Sequence, residues 1–247
     1  MHLKVEYLCH PGKVREHNED GILVHLRFIR DERGGEEIEV GNSPVTVAVA
    51  DGVGGAEAGE VASEFVLRTL AGTPARSVEE VIEVLRACQK ELKVHARSFP
   101  EKVQMASTVA GIVFQEGKGI VFNVGDSRVY RERFGYLVRV SKDHSVVERL
   151  VEAGVISPEE TRNHPQRHII TSAIGVEDGD FEVFVREIPI SVGDRFLICS
   201  DGLWEMLSEE EMEACLRSEE PLSSYFERAM ERGGMDNISI VLVRVCE

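Results

Sequence analysis

Five acidic sites stand where apolar segments begin or end. The run Val47-Ala48-Val49-Ala50 stops on Asp51-Gly52, and Phe196-Leu197-Ile198-Cys199-Ser200 stops on Asp201-Gly202. Val121-Phe122-Asn123-Val124-Gly125 leads into Asp126, Glu19-Asp20 precedes Ile22-Leu23-Val24, and Asp236-Asn237 precedes the last apolar run. An Asp beside a strand end is commonly a turn former, and for each site that reading stays open. If the acids converge, they need compensation, because two unit charges about 4 Å apart repel by about 4 kcal/mol at an effective dielectric near 20. A divalent cation supplies it, and an all-oxygen set without Cys or His selects Mg²⁺ or Mn²⁺ over zinc. Two ions bridged by one carboxylate can hold a hydroxide at neutral pH and aim it in line at phosphorus. A glycine after Asp51 would let the Gly52 carbonyl approach such an ion closely. Arg15, five residues before Asp20, offers a guanidinium fork suited to two phosphate oxygens, or a surface ion pair with Glu16 or Glu19.

Phosphate-cradling loops are excluded by spacing. Gly52 and Gly54 lack the third glycine of a dinucleotide fingerprint, since position 57 is Glu57, and no Gly-Lys-Ser/Thr occurs near this stretch.

The elements that must position these acids are mostly strands. Residues 44–50, 107–114, 119–124, 195–200 and 238–245 are short, β-branched and bounded by Gly, Pro or Asp. Residues 181–189 read as a half-buried strand, and Phe134-Gly135 as the turn of a hairpin. One helix is entered through the glycines after Asp51; a second starts at the capping box Ser77-Val78-Glu79-Glu80. A further pair starts at Ser208 and Pro221 and ends at Gly233-Gly234. Residues 143–175 lack strand periodicity, with short helices expected after Ser145 and Ser157, and read as an excursion over a site. The acidic run from Asp31 to Glu39 reads as a solvated hairpin loop, and Trp204 as a packing anchor. Without regular βαβ alternation, two antiparallel sheets with helices outside are expected, in a single domain over 1–247.

The chain has 247 residues, is 43% hydrophobic and 29% charged, and carries a net charge of −16. That composition is globular, and its acidic balance argues against a nucleic-acid partner. Five scattered cysteines without Cys-x-x-Cys suit a reducing compartment and exclude a structural zinc site. No leader or membrane span is expected, so a cytoplasmic location follows.

In order, the motifs Gly12-x-Val14-Arg15-x-x-Asn18-Glu19-Asp20, Ala50-Asp51-Gly52-Val53-Gly54-Gly55, Ser107-Thr108, Asn123-Val124-Gly125-Asp126-Ser127-Arg128, Asp143-His144-Ser145, Ser200-Asp201-Gly202-Leu203-Trp204 and Asp236-Asn237-Ile238 make the chain resemble metal-dependent serine/threonine protein phosphatases of the PPM, or type 2C, family in their compact bacterial form. The resemblance implies an α+β, four-layer sandwich of two antiparallel sheets flanked by helix pairs, with residues 143–175 as the flap. It implies two catalytic Mn²⁺ or Mg²⁺ ions bridged by Asp51, with the Gly52 carbonyl, Asp201 and Asp236 as further ligands. Glu19 and Asp20 would hold metal-bound waters, Arg15 the substrate phosphate, and Asp126 with Asp201 a third, weaker ion. Phosphorylated proteins are the implied substrates, with a serine/threonine kinase as counterpart and neither nucleic acid nor membrane as partner. A non-catalytic phosphoprotein-binding module and a two-metal hydrolase of small phosphates are the alternatives.

The chain departs from the family pattern at Val53 and Ala56, where many members carry histidine. The acid that protonates the leaving seryl oxygen is then a metal-bound water, with His17 and His144 as alternatives. Ser172 stands where arginine is frequent, removing one flap contact to substrate.

Overall fold

A computed structural model describes residues 1–54, 56–98, 104–177 and 179–247. Gly55 of the glycine-rich motif and the side chain of Ala56 lie outside the described residues.

In chain order the strands are β1 (His2–His10), β2 (Gly21–Val24), β3 (Arg27–Ile29), β4 (Arg33–Glu39), β5 (Val45–Ala50), β6 (Gly52–Val53), β7 (Ala106–Ser107), β8 (Val109–Gln115), β9 (Lys118–Val124), β10 (Arg128–Arg133), β11 (Tyr136–Arg139), β12 (Ile174–Gly175), β13 (Phe184–Pro189), β14 (Arg195–Cys199) and β15 (Ile238–Cys246). The helices are α1 (Ala56–Gly72), α2 (Val78–Ala96), α3 (Val146–Glu152), α4 (Asp201–Trp204), α5 (Glu209–Leu216) and α6 (Pro221–Glu231).

Two six-stranded sheets form, in the orders β11-β10-β14-β15-β1-β4 and β13-β9-β8-β5-β2-β3, and a three-stranded sheet β12-β7-β6 sits beside them. The strand pairs within these sheets are antiparallel.

Alternation along each strand builds three stacked cores. Val47 and Val49 of β5 point between the large sheets, where they join Ile112, Val241 and Val243. Ala48 and Ala50 point the other way, against Val66, Leu67 and Leu85 of α1 and α2. On the opposite flank Ile240 and Leu242 pack with Leu203, Met212 and Tyr225 of α4, α5 and α6. Strands buried on both faces read as unbroken apolar runs, which is why these segments stand out in the sequence. The four layers follow.

Several helix termini are set by side chains the sequence makes visible. Ser77 accepts from the Glu80 N–H at 3.2 Å, while the Glu80 carboxylate accepts from the Arg76 N–H. Ser208 and Glu211 exchange both capping bonds. Phe134 and Gly135 both take positive φ, as a two-residue hairpin requires.

The structure corrects four expectations. The acidic run is β4, an edge strand paired with β1 over Leu8↔Arg33 to His2↔Glu39. Its exposed charges suit an open edge, and Gly34 is needed because a Cβ there would lie 2.6 Å from the Tyr7 hydroxyl. β1 itself alternates between exposed His2, Lys4, Glu6 and buried Leu3, Val5, Tyr7, a pattern readable in the sequence but overlooked. β13 begins only at Phe184. The segment after Ser157 is a 3₁₀ turn, Pro158–Asn163. The excursion over 143–175 otherwise holds α3, an isolated bridge from Ser145 to Ile170, and β12.

Candidate active site

The acids gather at one end of the sandwich, each delivered by a different element. Asp20 lies just before β2, Asp51 follows β5, Asp126 occupies the β9–β10 turn, Asp201 opens α4, and Asp236 precedes β15. Their charges act on one another. Asp51 is pushed well above the usual carboxylate range, first by burial and then by the charges of Asp20, Asp201, Asp126 and Asp236. Asp201 is raised by burial and by Asp126, Asp236, Glu205 and Asp20. Burial takes Asp20 to about 7, partly offset by the Ser200 hydrogen bond, and takes Asp126 to about 7 with help from Asp143. Groups this perturbed by one another share a common space.

The backbone around Asp51 is pinned on two sides. Its N–H donates to Thr108 Oγ1 at 3.2 Å, and its carbonyl accepts from the Thr108 N–H at 2.8 Å and the Ser107 hydroxyl at 3.1 Å. The Gly52 N–H donates to the Glu19 carbonyl at 3.2 Å. Packing gives Gly52 a reason of its own: a Cβ there would lie 2.1 Å from the Gly59 carbonyl oxygen, so α1 packs directly on this turn. The Glu19 carboxylate lies over Gly59 in turn, where a Cβ would meet Oε2 at 1.8 Å.

Asn237 knits the amino-terminal loop to this end of the sandwich. Its Oδ1 accepts from the Glu19 N–H at 2.8 Å, and its Nδ2 donates to the carbonyls of Pro11 at 3.0 Å and His17 at 2.9 Å. Ser200 donates to Asp20 Oδ2 at 2.7 Å and accepts from the Ser239 N–H at 3.0 Å. Neither residue was assigned a role from sequence; both sit inside the motifs that carry the acids, which was the available signal.

Arg15 stands at the rim and donates to Asp236 Oδ2 at 2.7 Å, with half of its side chain exposed. Glu19 and Asp201 add their charges to that of Asp236 in holding the Arg15 guanidinium protonated. As the side chains stand, no three His, Cys, Asp or Glu among the described residues are arranged to hold an ion. The donor set nonetheless fits a hard cation in kind: Asp20 Oδ1 is buried without a hydrogen-bond partner, and the clustered carboxylates have Arg15 as a close counter-charge.

Three further residues have defined contacts. His144 is 5% exposed, its imidazole held below its usual pKa by burial, and its Nδ1 accepts from the Gly125 N–H at 3.1 Å. This contact braces the turn that carries Asp126. Trp204 does more than pack: its indole N–H donates to the Asp126 carbonyl at 3.0 Å. Ser172, in place of arginine, exchanges hydrogen bonds with the Glu182 backbone.

Comparisons with known proteins identify the family and the fold. The family model described as protein phosphatase 2C matches residues 36–244. The serine/threonine phosphatase stp of Listeria monocytogenes is 35% identical over 254 residues, covering 98% of this chain and 95% of the relative. The serine/threonine protein phosphatase PstP of Mycobacterium tuberculosis is 32% identical over 244 residues, covering 96% of this chain and 44% of the relative. A crystal structure of the Mycobacterium tuberculosis phosphatase superimposes with a TM-score of 0.85 at 30% identity, covering 100% of both chains. A structure of the PstP catalytic domain in complex with 2 manganese ions gives a TM-score of 0.79 at 29% identity, covering 99% of this chain and 100% of that one.

Proposed function

The chain belongs to the protein phosphatase 2C family, and from that premise we propose that it hydrolyses phosphoserine and phosphothreonine on proteins with two divalent cations, manganese or magnesium. The observation that carries the reading is the burial of Asp51 and Asp201 within reach of the charges of Asp20, Asp126 and Asp236, which raises both well above the usual carboxylate range. Five carboxylates so placed destabilise a metal-free protein and are rational only as cation ligands.

Asp51, the Gly52 carbonyl, Asp201 and Asp236 would hold the catalytic pair. Glu19 and Asp20 would act through water, and Asp126 with Asp201 would take a third ion. When bound, the ions supply a nucleophile at neutral pH and neutralise phosphoryl oxygens. The chain's own contribution is orientation. Thr108 and Ser107 fix the Asp51 backbone, Ser200 fixes one oxygen of Asp20, and Asn237 fixes the loop carrying Glu19. Arg15 would exchange Asp236 for the substrate phosphate, a bidentate match that also selects the phosphomonoester dianion. The leaving seryl oxygen would take its proton from water held by the site, with His17 and His144 as the alternative donors.

We read residues 1–247 as one phosphatase domain with a flap over about 143–175, acting in the cytoplasm opposite a serine/threonine kinase. Its partners are phosphorylated proteins, not nucleic acid or membrane; the net charge of −16 supports this. No helix among the described residues is long and apolar enough to cross a membrane.

The test is hydrolysis of phosphoserine and phosphothreonine peptides with Mn²⁺. Turnover should stop with chelator and fall at least a hundredfold in Asp51→Asn, on the order of removing one electrostatic stabiliser. Undiminished turnover in Asp51→Asn would remove that residue from the reaction.

A further inference from the structure

Asp126 is held from two directions by groups that lie outside the acid cluster. On one side the Gly125 N–H donates to His144 Nδ1 at 3.1 Å, and the His144 N–H donates to the Gly125 carbonyl at 2.8 Å. On the other, the Trp204 indole N–H donates to the Asp126 carbonyl at 3.0 Å. Gly125 takes φ of 100°, and a Cβ there would lie 2.6 Å from Thr108, so this turn has no freedom to shift toward β8.

The indole has a second partner. The Arg128 guanidinium lies 3.6 Å from the Trp204 ring centroid, close enough for a cation–π contact. Arg128 also grips Asp143, donating to its Oδ2 from Nε at 2.9 Å and from Nη2 at 2.7 Å and to its Oδ1 from Nε at 3.2 Å, and donates to the Tyr130 hydroxyl. Asp143 is the first residue of the flap and is buried. Trp204 closes α4, the single helical turn that Asp201 opens. One side chain therefore bridges the turn bearing Asp126, the helix bearing Asp201, and the root of the flap. Trp204, Asp126, Arg128 and Asp143 line a common cavity of about 630 Å³ between the flap and α5.

An indole used only for packing has no need to aim its N–H at the carbonyl of a buried acid. We propose that Trp204 is a positioning residue for the Asp126 carboxylate, and that its indole reports the arrival of a divalent cation there. The inference rests on Asp126 being a cation ligand and adds what holds it in place. An aligned N–H fixes the Asp126 peptide, and the Arg128 stack fixes the plane of the ring. A cation drawn between Asp126 and Asp201 then changes the charge seen at both ends of the indole's support.

Trp204 is the only tryptophan in the chain, so its fluorescence is a direct readout that does not require turnover. Metal-free full-length protein is titrated with MnCl₂ and separately with MgCl₂ while indole emission is recorded. Mn²⁺ should quench emission and Mg²⁺ should shift it, and the weaker-binding phase of each response should vanish in Asp126→Asn. Asp126→Ser serves as a second variant if thermal melting shows that the amide fails to fold. The complementary measurement is the Mn²⁺ dependence of aryl-phosphate hydrolysis in Trp204→Phe, which keeps the stacked ring and loses the donor. The weaker Mn²⁺ phase should move to about fivefold higher concentration, the size of one neutral hydrogen bond, with kcat at saturating Mn²⁺ retained. Trp204→Ala, losing ring and donor, should shift it further. Emission that ignores both cations, a weaker-binding phase that survives loss of the Asp126 carboxylate, or a Phe variant with the wild-type Mn²⁺ dependence would each overturn the proposal. A wild-type protein with an Asp126-dependent emission response but no hydrolysis would support it while defeating the phosphatase reading.

Discussion

Replacing Asp20 by Asn should stabilise the metal-free protein at alkaline pH while weakening its hold on cations. Asp20 is 1% exposed; one oxygen accepts from Ser200 and the other has no partner. Burial raises its pKa from 3.8 to about 7. A carboxyl with a raised folded pKa contributes stability that is fully present below about pH 4 and is lost as pH climbs through about 7, because the native state binds the proton that the unfolded chain releases. A shift of about three units corresponds to about 4 kcal/mol, and because the neighbouring acids share the effect, about 2 to 4 kcal/mol is expected from this site alone. Asn cannot ionise, so that loss does not occur. For a chain of this size the gain translates to roughly 5 to 15 °C in melting temperature at pH 8, and to little at pH 4. The assay is thermal unfolding of chelator-treated wild type and Asp20→Asn across pH 4 to 8, repeated with saturating Mn²⁺. With Mn²⁺ the order should reverse, since binding to the ionised cluster stabilises wild type more. If wild type and variant track each other across the whole pH range without metal, the idea that Asp20 is an electrostatic burden held for cation binding is wrong.

Gly52→Ala should cost more than 3 kcal/mol or prevent folding, because its Cβ would sit 2.1 Å from the Gly59 carbonyl oxygen, and backbone on both sides has nowhere to go; urea unfolding reads this. Asn237→Ala leaves the Glu19 N–H and the carbonyls of Pro11 and His17 without their partner, so a loss of about 2 to 4 kcal/mol is expected by the same measurement, together with weaker Mn²⁺ binding. Arg15→Lys keeps the charge but not the fork; KM for a phosphopeptide should rise about tenfold with kcat changed less, and a wild-type KM would remove Arg15 from phosphate binding.

The sequence makes the site legible to an unusual degree because each acid is tied to an apolar strand whose end is marked locally. Asp51 and Asp201 follow runs buried on both faces, and such runs cannot be mistaken for loops. Residues whose roles depend on distant partners were not legible. Asn237 acts on a backbone 218 positions away, and its type alone says only that it can form a turn. Gly59 is invisible until α1 is laid on the turn at Gly52. The acidic run at 31–39 reads as a loop because its charges mask the alternation around Ile38; only the facing β1 makes it a strand. His144 has a structural contact that its sequence position does not show: its Nδ1 accepts from the Gly125 N–H.

Anomalous diffraction at the manganese edge, from crystals of the protein grown with Mn²⁺, tests the central claim most directly. Two strong peaks on either side of the Asp51 carboxylate, within coordination distance of Asp201 and Asp236 and with Arg15 released from Asp236, are the expected result. Manganese bound elsewhere, or a cluster that keeps the Arg15–Asp236 pair and binds none, would contradict the account.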